Sequence, residues 1–518
     1  MKEFFKELTN ELILSDEEVH KLKLRVCKKY HVHSIPRNSE IIEYLRNEEL
    51  DLEKKLVQKL KTKRTRTLSG VGVVAVMCSP SSCPHGKCIY CPGGVEYGSA
   101  QSYTGKEPAS LRALRNEYDP YKQTDARIKQ LNAIGHSTEK LDLIIMGGTF
   151  LAREKEYKEW FVKNCYDAMN GFTSKNLEEA KKMNESATSR CVGLTIETRP
   201  DWCRENEIDE MLRFGATKVE LGVQTIHNDV LEKIGRKHTI EDTIYATQLS
   251  KDAGLKVCYH IMLGLPNLSE KDELSCFKAI LSDSSFMPDM LKIYPTLVIK
   301  GTKLYDMWMK GEYEPLTTEK AVNILAEVKK NIPPWVRIQR IERDIPSQLI
   351  DAGIKESNLR QLVQRKLREE GNKCNCIRCR EVGFNSSDGE IKLIKRKYDS
   401  SGGKEFFLSF ENARAVIGYA RLREPSDNAH RVEIRNKKVA IIREMRVFGE
   451  VVPIGKRDEN AYQHKGYGKR LLEECERIAF EELDAKELLV LSGVGAKNYY
   501  RKFGYIDDEV YIRKRLNE

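Results

Sequence analysis

Residues 83–94 read CPHGKCIYCPGG and place three cysteines within twelve positions, with gaps of four and two residues. The cysteines are Cys83, Cys88 and Cys91. Three thiolates are one fewer than a closed structural zinc site needs. A cuboidal iron–sulfur cluster held by three thiolates keeps one iron open for a small molecule, and this interpretation is favoured. A zinc site completed by His85 or Cys78 is the alternative.

Six short apolar runs alternate with segments of helical period after residue 70. They lie at 71–78, 141–148, 192–198, 218–224, 256–266 and 290–299. Units of this kind predict parallel strands joined by crossover helices, in a partial (β/α)6 barrel. Chemistry in such folds gathers at the carboxyl ends of the strands, and the three-cysteine loop follows the first predicted strand directly.

The three-cysteine loop, with Tyr90 before its third cysteine and a glycine pair after the second predicted strand, resembles the radical S-adenosylmethionine (SAM) enzymes. Their usual first gap is three residues, whereas this chain has four. The resemblance implies a 4Fe-4S cluster whose open iron binds SAM and releases a 5′-deoxyadenosyl radical. It implies further that Gly93 and Gly94 let the backbone pass close to the cluster. The SAM contacts implied by it are Gly147, Gly148, Thr149, Glu197 and Gln224.

The carboxyl-terminal part has a different pattern, with four predicted antiparallel strands between residues 391 and 450. QHKGYGKRLL at 463–472 follows them and resembles the pyrophosphate loop of GCN5-related N-acetyltransferases (GNAT). Backbone N–H groups at such a helix start bind the pyrophosphate of coenzyme A. The resemblance implies an acetyl-CoA site formed by Glu444, Met445, Arg446, Val447, Gln463, Gly466, Tyr467, Gly468 and Lys469. It places Tyr500 near the thioester as the catalytic residue, with Tyr499 as the second candidate and core packing as the alternative for one of the two.

A radical SAM core followed by an acetyltransferase domain is itself a rare pairing. With CIYCPGG, QSYTGKEP, IETRPD and NYYRKFGY, it makes the chain similar to the Elongator complex catalytic subunit family over most of residues 70–518. That family places a carboxymethyl-type group on carbon 5 of the wobble uridine in tRNA. The resemblance implies that the deoxyadenosyl radical activates the methyl of acetyl-CoA, that an electron donor is needed, and that Lys140 contacts coenzyme A. A protein lysine acetyltransferase with a structural cluster is the alternative, and a tRNA-binding scaffold with inactive sites is a third hypothesis.

Positive charge is concentrated near the amino terminus of a chain whose net charge is +10. Two basic runs without acids, at 19–39 and 54–66, flank a predicted amphipathic helix at 39–56. They predict a basic, mostly helical region that binds nucleic acid, with a membrane surface or an acidic tail as the alternative partner. The resemblance implies that this region holds the backbone of the anticodon stem-loop of tRNA. No apolar run reaches transmembrane length, no signal peptide is seen, and most cysteines stand singly in apolar segments, so we expect a cytoplasmic protein that does not bind a membrane.

A second group, Cys374, Cys376 and Cys379, has the tight spacing of metal ligands and predicts a structural zinc site whose fourth ligand, Cys78 or a histidine, is open. These patterns predict four parts: a tRNA-binding region at 1–69, a radical SAM domain at 70–345, a linker with the zinc-type loop at 346–390, and a GNAT domain at 391–518. The oligomeric state is open, and a homodimer is compatible with the sequence.

Overall fold

The computed structural model describes residues 2–14, 18–47, 59–62, 67, 69–385, 389–449 and 465–516. Within these residues, a parallel sheet of seven strands follows the order of the chain. Its strands are β1 (Gly72–Met77), β2 (Lys140–Met146), β3 (Arg190–Thr198), β4 (Lys218–Gln224), β5 (Lys256–Leu263), β6 (Met290–Pro295) and β7 (Arg337–Ile341). Each of the six predicted runs contains one strand, so the predicted barrel is confirmed. β7 adds a seventh, which was missed because RIQRI is not a continuous apolar run.

The barrel strands have one apolar and one polar face. On β4, Val219, Leu221 and Val223 are buried in the core under the helices. The alternate residues of the same strand are Lys218, Glu220, Gly222 and Gln224, and they face the interior of the barrel. Because side chains alternate along a strand, the apolar face is covered by helices and the polar face lines the interior. The interior is therefore available for chemistry rather than filled with aliphatic side chains.

Several helices of the barrel part begin at side-chain caps. Before the helix Ile240–Asp252, the Thr239 hydroxyl accepts from the Asp242 amide, and the Asp242 carboxylate accepts from the Thr239 amide. Ser269 and Asp272 make the same pair of hydrogen bonds at the start of the helix Glu270–Ser282. The described helices up to residue 380 are α1 (Lys2–Leu14), α2 (Val19–Lys29), α3 (Asn38–Asn47), α4 (Pro108–Arg115), α5 (Pro120–Ala133), α6 (Lys155–Asn170), α7 (Leu177–Asn184), α8 (Glu205–Arg213), α9 (Asn228–Lys233), α10 (Ile240–Asp252), α11 (Glu270–Ser282), α12 (Lys303–Met309), α13 (Thr318–Lys330), α14 (Leu359–Glu369) and α15 (Ile377–Arg380).

A second sheet forms the GNAT part, with the strand order β13-β14-β12-β11-β10-β9-β8 among the described residues. Its strands are β8 (Lys392–Ser400), β9 (Gly403–Glu411), β10 (Val416–Glu424), β11 (Val439–Val447), β12 (Glu487–Val490), β13 (Ile506–Asp508) and β14 (Tyr511–Arg515), and its helices are α16 (Tyr467–Arg477) and α17 (Lys497–Arg501). The four predicted antiparallel strands are present, and β13 and β14 were missed. β11 and β12 run parallel and pair only as far as Ile442 and Val490. Beyond that point they separate and leave a cleft.

Buried ion pairs join the barrel to the GNAT sheet. The Arg443 guanidinium donates to both carboxylate oxygens of Asp289, at 2.8 and 2.7 Å, and to Glu405 at 2.9 Å. Arg423 makes a similar pair with Asp252, at 2.9 and 2.6 Å. The side chains of these pairs are at most 1% exposed. Because a buried charge is costly without its partner, this interface fixes the GNAT strands against the barrel.

The described amino-terminal part is helical, as predicted, and α1 to α3 pack around an apolar cluster that includes Phe4, Leu22 and Ile41. The predicted helix at 39–56 is seen as α3, and residues 48–58 lie outside the described residues. Among the described residues, no helix combines the length and apolar character that a membrane crossing requires. The domain boundaries given above remain predictions.

Candidate active site: two cavities at opposite ends of the barrel

The first cavity opens at the carboxyl ends of the barrel strands and encloses about 1270 Å³, including the part open to solvent. The structure brings seven predicted residues to its wall: Cys83, Cys88, Cys91, Gly148, Thr149, Glu197 and Gln224. Gly147 is not among the lining residues and packs instead against Cys78, whose thiol donates to the Gly147 carbonyl at 3.0 Å. The contact of Gly147 with SAM stays a prediction.

The three loop thiols suit an iron–sulfur cluster better than a single ion. All three are buried, and Cys91 Sγ accepts from the Ser102 amide at 3.2 Å. Among the described residues, the loop forms no group in which three metal-ligand atoms lie within 4.8 Å of one another. A cluster distributes its thiolates over different irons, whereas one zinc ion gathers them. The donor set therefore fits the cluster.

Cys78 and His85, the two alternative zinc ligands, both make other contacts. The Cys78 thiol donates a hydrogen bond to the Gly147 carbonyl, as described above. His85 Nε2 lies 3.2 Å from Cys88 Sγ, in hydrogen-bond contact with a predicted cluster ligand. Burial, together with Arg199 and Arg236, lowers the pKa of His85 to about 3, so the ring is neutral. We conclude that His85 supports the loop through Cys88.

Glycine is required at two positions beside the loop, Gly148 and Gly93, for different physical reasons. Gly148 has a φ of +69°, so a side chain there would be strained, and its Cβ would lie 3.3 Å from Gln101 Cβ and in van der Waals contact, at 3.6 Å, with Cys83 Sγ. A Cβ on Gly93 would lie 1.8 Å from the Tyr103 carbonyl oxygen. Gly93 is thus required by packing within the loop. That Gly93 and Gly94 let the backbone pass close to the cluster stays a prediction.

Sequence reasoning missed two buried arginines near the cysteine loop. Arg199 holds Asp201 with two hydrogen bonds, at 2.9 and 2.7 Å, and donates to the Arg236 carbonyl at 2.8 Å. Arg236 donates to the Gly222 carbonyl. Both line the first cavity and are 3% and 7% exposed, so they place positive charge beside the thiols. The available signal was Arg199 in IETRPD, immediately after a predicted strand.

A layer of ion pairs forms the floor of the first cavity. Glu220 is fully buried and contacts Lys218 at 3.0 Å, His260 Nε2 at 2.8 Å and the ammonium of Lys292. Burial raises the pKa of the Glu220 carboxyl, but Lys292 and Lys218 outweigh it and hold the pKa well below its usual range. Glu220, His260 and Cys258 place ligand atoms within 4.8 Å of one another. The two lysines already neutralise Glu220, so this group needs no metal ion.

The second cavity lies below that floor, between the barrel and the GNAT sheet, and encloses about 830 Å³ including open solvent. Its barrel side includes Asp142, Lys218 and Lys256, at the amino ends of the strands. Its GNAT side contains four predicted residues: Glu444, Met445, Arg446 and Tyr500. Lys218 lines this cavity and Glu220 lines the other. One ion-pair layer therefore separates the two predicted cofactor sites.

The two predicted tyrosines have different positions. Tyr500 is 7% exposed and lines the second cavity, whereas Tyr499 is 36% exposed. A Cβ on Gly468 would lie 2.8 Å from the Tyr499 hydroxyl, so Tyr499 is beside the pyrophosphate loop. Burial raises the pKa of both phenols, and that of Tyr499 to about 12. The structure thus brings Tyr500, and not Tyr499, to the acetyl end of the predicted site.

The remaining predicted contacts lie around the start of α16. Gly466 caps this helix with a φ of +76°, and Tyr467 packs on Phe410 with ring centroids 4.9 Å apart. Lys469 is paired with Glu473 at 3.4 Å. Val447 and Lys140 do not line the second cavity; Lys140 begins β2, two residues before Asp142. Gln463 lies outside the described residues.

The zinc-type loop forms a compact group away from both cavities. The sulfurs of Cys374, Cys376 and Cys379 lie within 4.8 Å of one another, and this group contains no fourth residue among those described. The Lys329 ammonium donates to Cys379 Sγ at 3.4 Å. The spacing fits a single ion. Cys78 cannot complete it, because Cys78 follows β1 at one edge of the sheet and the loop packs before β7 at the other, where the Ile377 amide bonds to Val336.

Comparisons with known proteins show which families the chain resembles. Residues 79–278 match the Radical SAM superfamily, 288–369 the Radical SAM C-terminal domain, 1–68 the ELP3 N-terminal domain, and 376–505 the Acetyltransferase (GNAT) family. The chain is 51% identical to a tRNA uridine(34) acetyltransferase of Methanocaldococcus jannaschii, over 97% of this chain and 95% of that protein. It is 42% identical to Elongator complex protein 3 of Schizosaccharomyces pombe, over 98% and 97% of the two chains. A solved structure of Methanocaldococcus infernus Elp3 lacking its amino terminus has 47% identity and a TM-score of 0.77, and covers 87% of this chain and 100% of that one.

Proposed function

This chain belongs to the Elongator complex protein 3 family, and we propose that it modifies uridine 34 of tRNA by joining a two-carbon unit from acetyl-CoA to carbon 5 of the base. The observation that carries the proposal is the arrangement of the cavities. If a radical SAM site and an acetyl-CoA site catalysed independent reactions, they would not need to lie on either side of one barrel interior. Here a single layer, Glu220 with Lys218 and Lys292, lies between them.

The first cavity would hold a 4Fe-4S cluster on Cys83, Cys88 and Cys91. Bound there with SAM and reduced by an electron donor, the cluster supplies a 5′-deoxyadenosyl radical, a reagent that amino-acid side chains cannot provide. The protein would position SAM through Thr149, Glu197 and Gln224. Glu197 is itself fixed, because it accepts from the Tyr103 hydroxyl at 3.3 Å and lies 3.7 Å from the Lys292 ammonium.

The acetyl-CoA site would extend from the start of α16 to the second cavity. Backbone N–H groups after Gly466 would bind the pyrophosphate at the positive end of the helix dipole. The pantetheine arm would follow the cleft where β11 leaves β12, with Glu444, Met445 and Arg446 beside it. Tyr500 would lie near the thioester. This course would bring the acetyl methyl to the floor that faces SAM. One methyl hydrogen would pass to the 5′-deoxyadenosyl radical, and the new bond to carbon 5 would be completed as the ring loses its carbon-5 proton and one electron, which the oxidised electron donor takes back. Hydrolysis of the thioester would then leave a carboxymethyl group.

The tRNA would bind through basic residues, with the target base out of its stack. Part of the first basic run is already engaged within the protein: the buried Lys23 ammonium donates to the Pro36 carbonyl at 2.7 Å, and Lys29 pairs with Glu7 at 2.5 Å. In the second run, Lys59 likewise donates to the Leu12 carbonyl at 3.1 Å. We therefore assign the backbone contacts to both runs together, and most of the run at 54–66 lies outside the described residues. A structural zinc ion on the Cys374 loop and a cytoplasmic location belong to the same proposal.

The proposal is tested by isotope transfer under anaerobic conditions. Protein, tRNA, SAM, dithionite and trideuterated acetyl-CoA are incubated, and 5′-deoxyadenosine and digested tRNA are analysed by mass spectrometry. We expect tRNA-dependent deuterium in 5′-deoxyadenosine and a carboxymethyl-type mass increase on uridine. Acetyl-CoA turnover that persists in a Cys88→Ala protein, with no label in 5′-deoxyadenosine, would instead support a lysine acetyltransferase.

A further inference from the structure

Three of the six charged side chains that line the second cavity are already paired with other protein groups. Lys218 contacts Glu220 at 3.0 Å, and Arg443 is held by Asp289 and Glu405. Glu444 accepts from Arg421 at 3.0 Å and from the Tyr419 hydroxyl at 2.8 Å. These groups are therefore committed to the interface and are poorly placed to bind a ligand.

Lys256 is different. It is the first residue of β5, and its side chain lies on the same face as Cys258 and His260, toward the interior of the barrel. It lines the second cavity. In the described part of the chain, its ammonium has no hydrogen-bond or ion-pair partner; the nearest opposite charges, on Glu444 and Asp142, act on it only at longer range. Burial lowers the pKa of Lys256 to about 8, so the group is charged at neutral pH.

We propose that Lys256 is a catalytic residue whose ammonium donates a hydrogen bond to the carbonyl oxygen of the acetyl thioester. The inference rests on the proposed function, because it places acetyl-CoA in the second cavity. A half-buried ammonium in a cavity wall with no protein partner is free to bind a ligand, and an oxygen acceptor on that ligand would compensate for the water it displaces. The acetyl group would lie between Lys256 on the barrel side and Met445 and Arg446 on the GNAT side, the two walls of the same cavity.

The chemistry of the thioester gives this contact its purpose. When water attacks, its oxygen bonds to the carbonyl carbon, the carbon–sulfur bond breaks, and the coenzyme A thiolate leaves and takes up a proton. Negative charge develops on the carbonyl oxygen before the bond breaks. A fixed positive donor in a cavity with little water stabilises that charge more than it stabilises the neutral ground state. The same contact holds the acetyl group in one orientation toward the floor of the first cavity.

The first test compares two ligands that differ only at the carbonyl. Binding of acetyl-CoA and of S-ethyl-CoA, which has no carbonyl oxygen, is measured by calorimetry on the full-length protein. We expect the wild type to prefer acetyl-CoA. Lys256→Met should weaken acetyl-CoA binding about tenfold, the effect of one charge-assisted hydrogen bond, and leave S-ethyl-CoA unchanged. Lys129→Met, which removes an exposed lysine on α5, is the matched control and should change neither affinity.

The second readout is release of coenzyme A in the complete anaerobic reaction with tRNA, SAM and dithionite, measured by chromatography. Lys256→Met should slow release at saturating acetyl-CoA by about a hundredfold, as expected for loss of one oxyanion donor, and Lys256→Arg should recover part of the rate. Equal losses of affinity for both ligands in Lys256→Met, or an unchanged release rate, would overturn the inference. A wild type that binds both ligands equally would also overturn it. A wild type that binds neither would refute the acetyl-CoA site itself, and with it the proposed function.

Discussion

Asp289 provides the most direct test of how the two halves of the active site are held together. Its carboxylate receives two hydrogen bonds from Arg443 and one, at 2.8 Å, from the backbone amide of Val257, the residue after Lys256. Asp289 is fully buried. Replacing it with Asn keeps the shape, removes the charge and directs an amide NH2 at one of these three donors.

The expected cost follows from the burial of the pair. Breaking one partner of a buried ion pair costs about 3–5 kcal/mol, and Asn keeps one acceptor oxygen, so we take about 3 kcal/mol for Asp289→Asn. For a cooperatively unfolding domain of about 150–250 residues, a loss of about 3 kcal/mol lowers the melting temperature by about 6–12 °C. The control is Asp125→Asn. Asp125 pairs with the exposed Lys129 at 2.8 Å, and an exposed ion pair contributes about 0–1 kcal/mol to stability.

The assay is thermal unfolding followed by intrinsic fluorescence, at several pH values. Burial raises the pKa of Asp289, but Arg443, Lys251 and Arg421 outweigh it and hold the pKa well below its usual range. A carboxyl with a depressed pKa stabilises the fold above its unfolded pKa of about 4 and loses that effect only as the pH falls through the folded value. The deficit of Asp289→Asn should therefore persist as the pH is lowered to 5. A melting temperature within 2 °C of the wild type would refute this account of the interface.

Three further predictions concern the cofactor sites and the tRNA. Cys88→Ala should abolish iron–sulfur absorption and SAM cleavage while the GNAT part stays folded by circular dichroism; full SAM cleavage would contradict the cluster assignment. Reversing the bases at 61–66 to Glu should weaken tRNA binding and flatten its salt dependence, in which each phosphate contact contributes a log–log slope of about −0.7 to −0.9; an unchanged slope would mean that the run only faces solvent. The preference for acetyl-CoA over S-ethyl-CoA should fall as the pH rises through about 8, because the Lys256 ammonium loses its proton there. The charged groups that act on this ammonium are Glu444, Asp142, Lys218 and Asp289. A preference that stays constant to pH 9.5 would exclude a role for the charged form.

The sequence by itself determined the features that depend on neighbouring residues. The three cysteines of the first loop lie within nine positions, so their spacing alone predicts a shared ligand. Gly466 precedes its own helix, and the order of apolar runs predicts the parallel sheet. β7 was missed because its charged residues interrupt the apolar pattern, and β13 and β14 because each is short.

The tertiary structure decided which charged residues are buried together. Lys218, Lys256 and Lys292 begin or interrupt strands, and a lysine at such a position in a sequence usually indicates a solvent-exposed edge. Only the curvature of the folded sheet turns the face that carries these lysines inward, toward Glu220 and the second cavity. The pair of Asp289 with Arg443 joins residues 154 positions apart. No local pattern encodes such a pair, because its stability comes from excluding water between two domains that meet only in the folded chain.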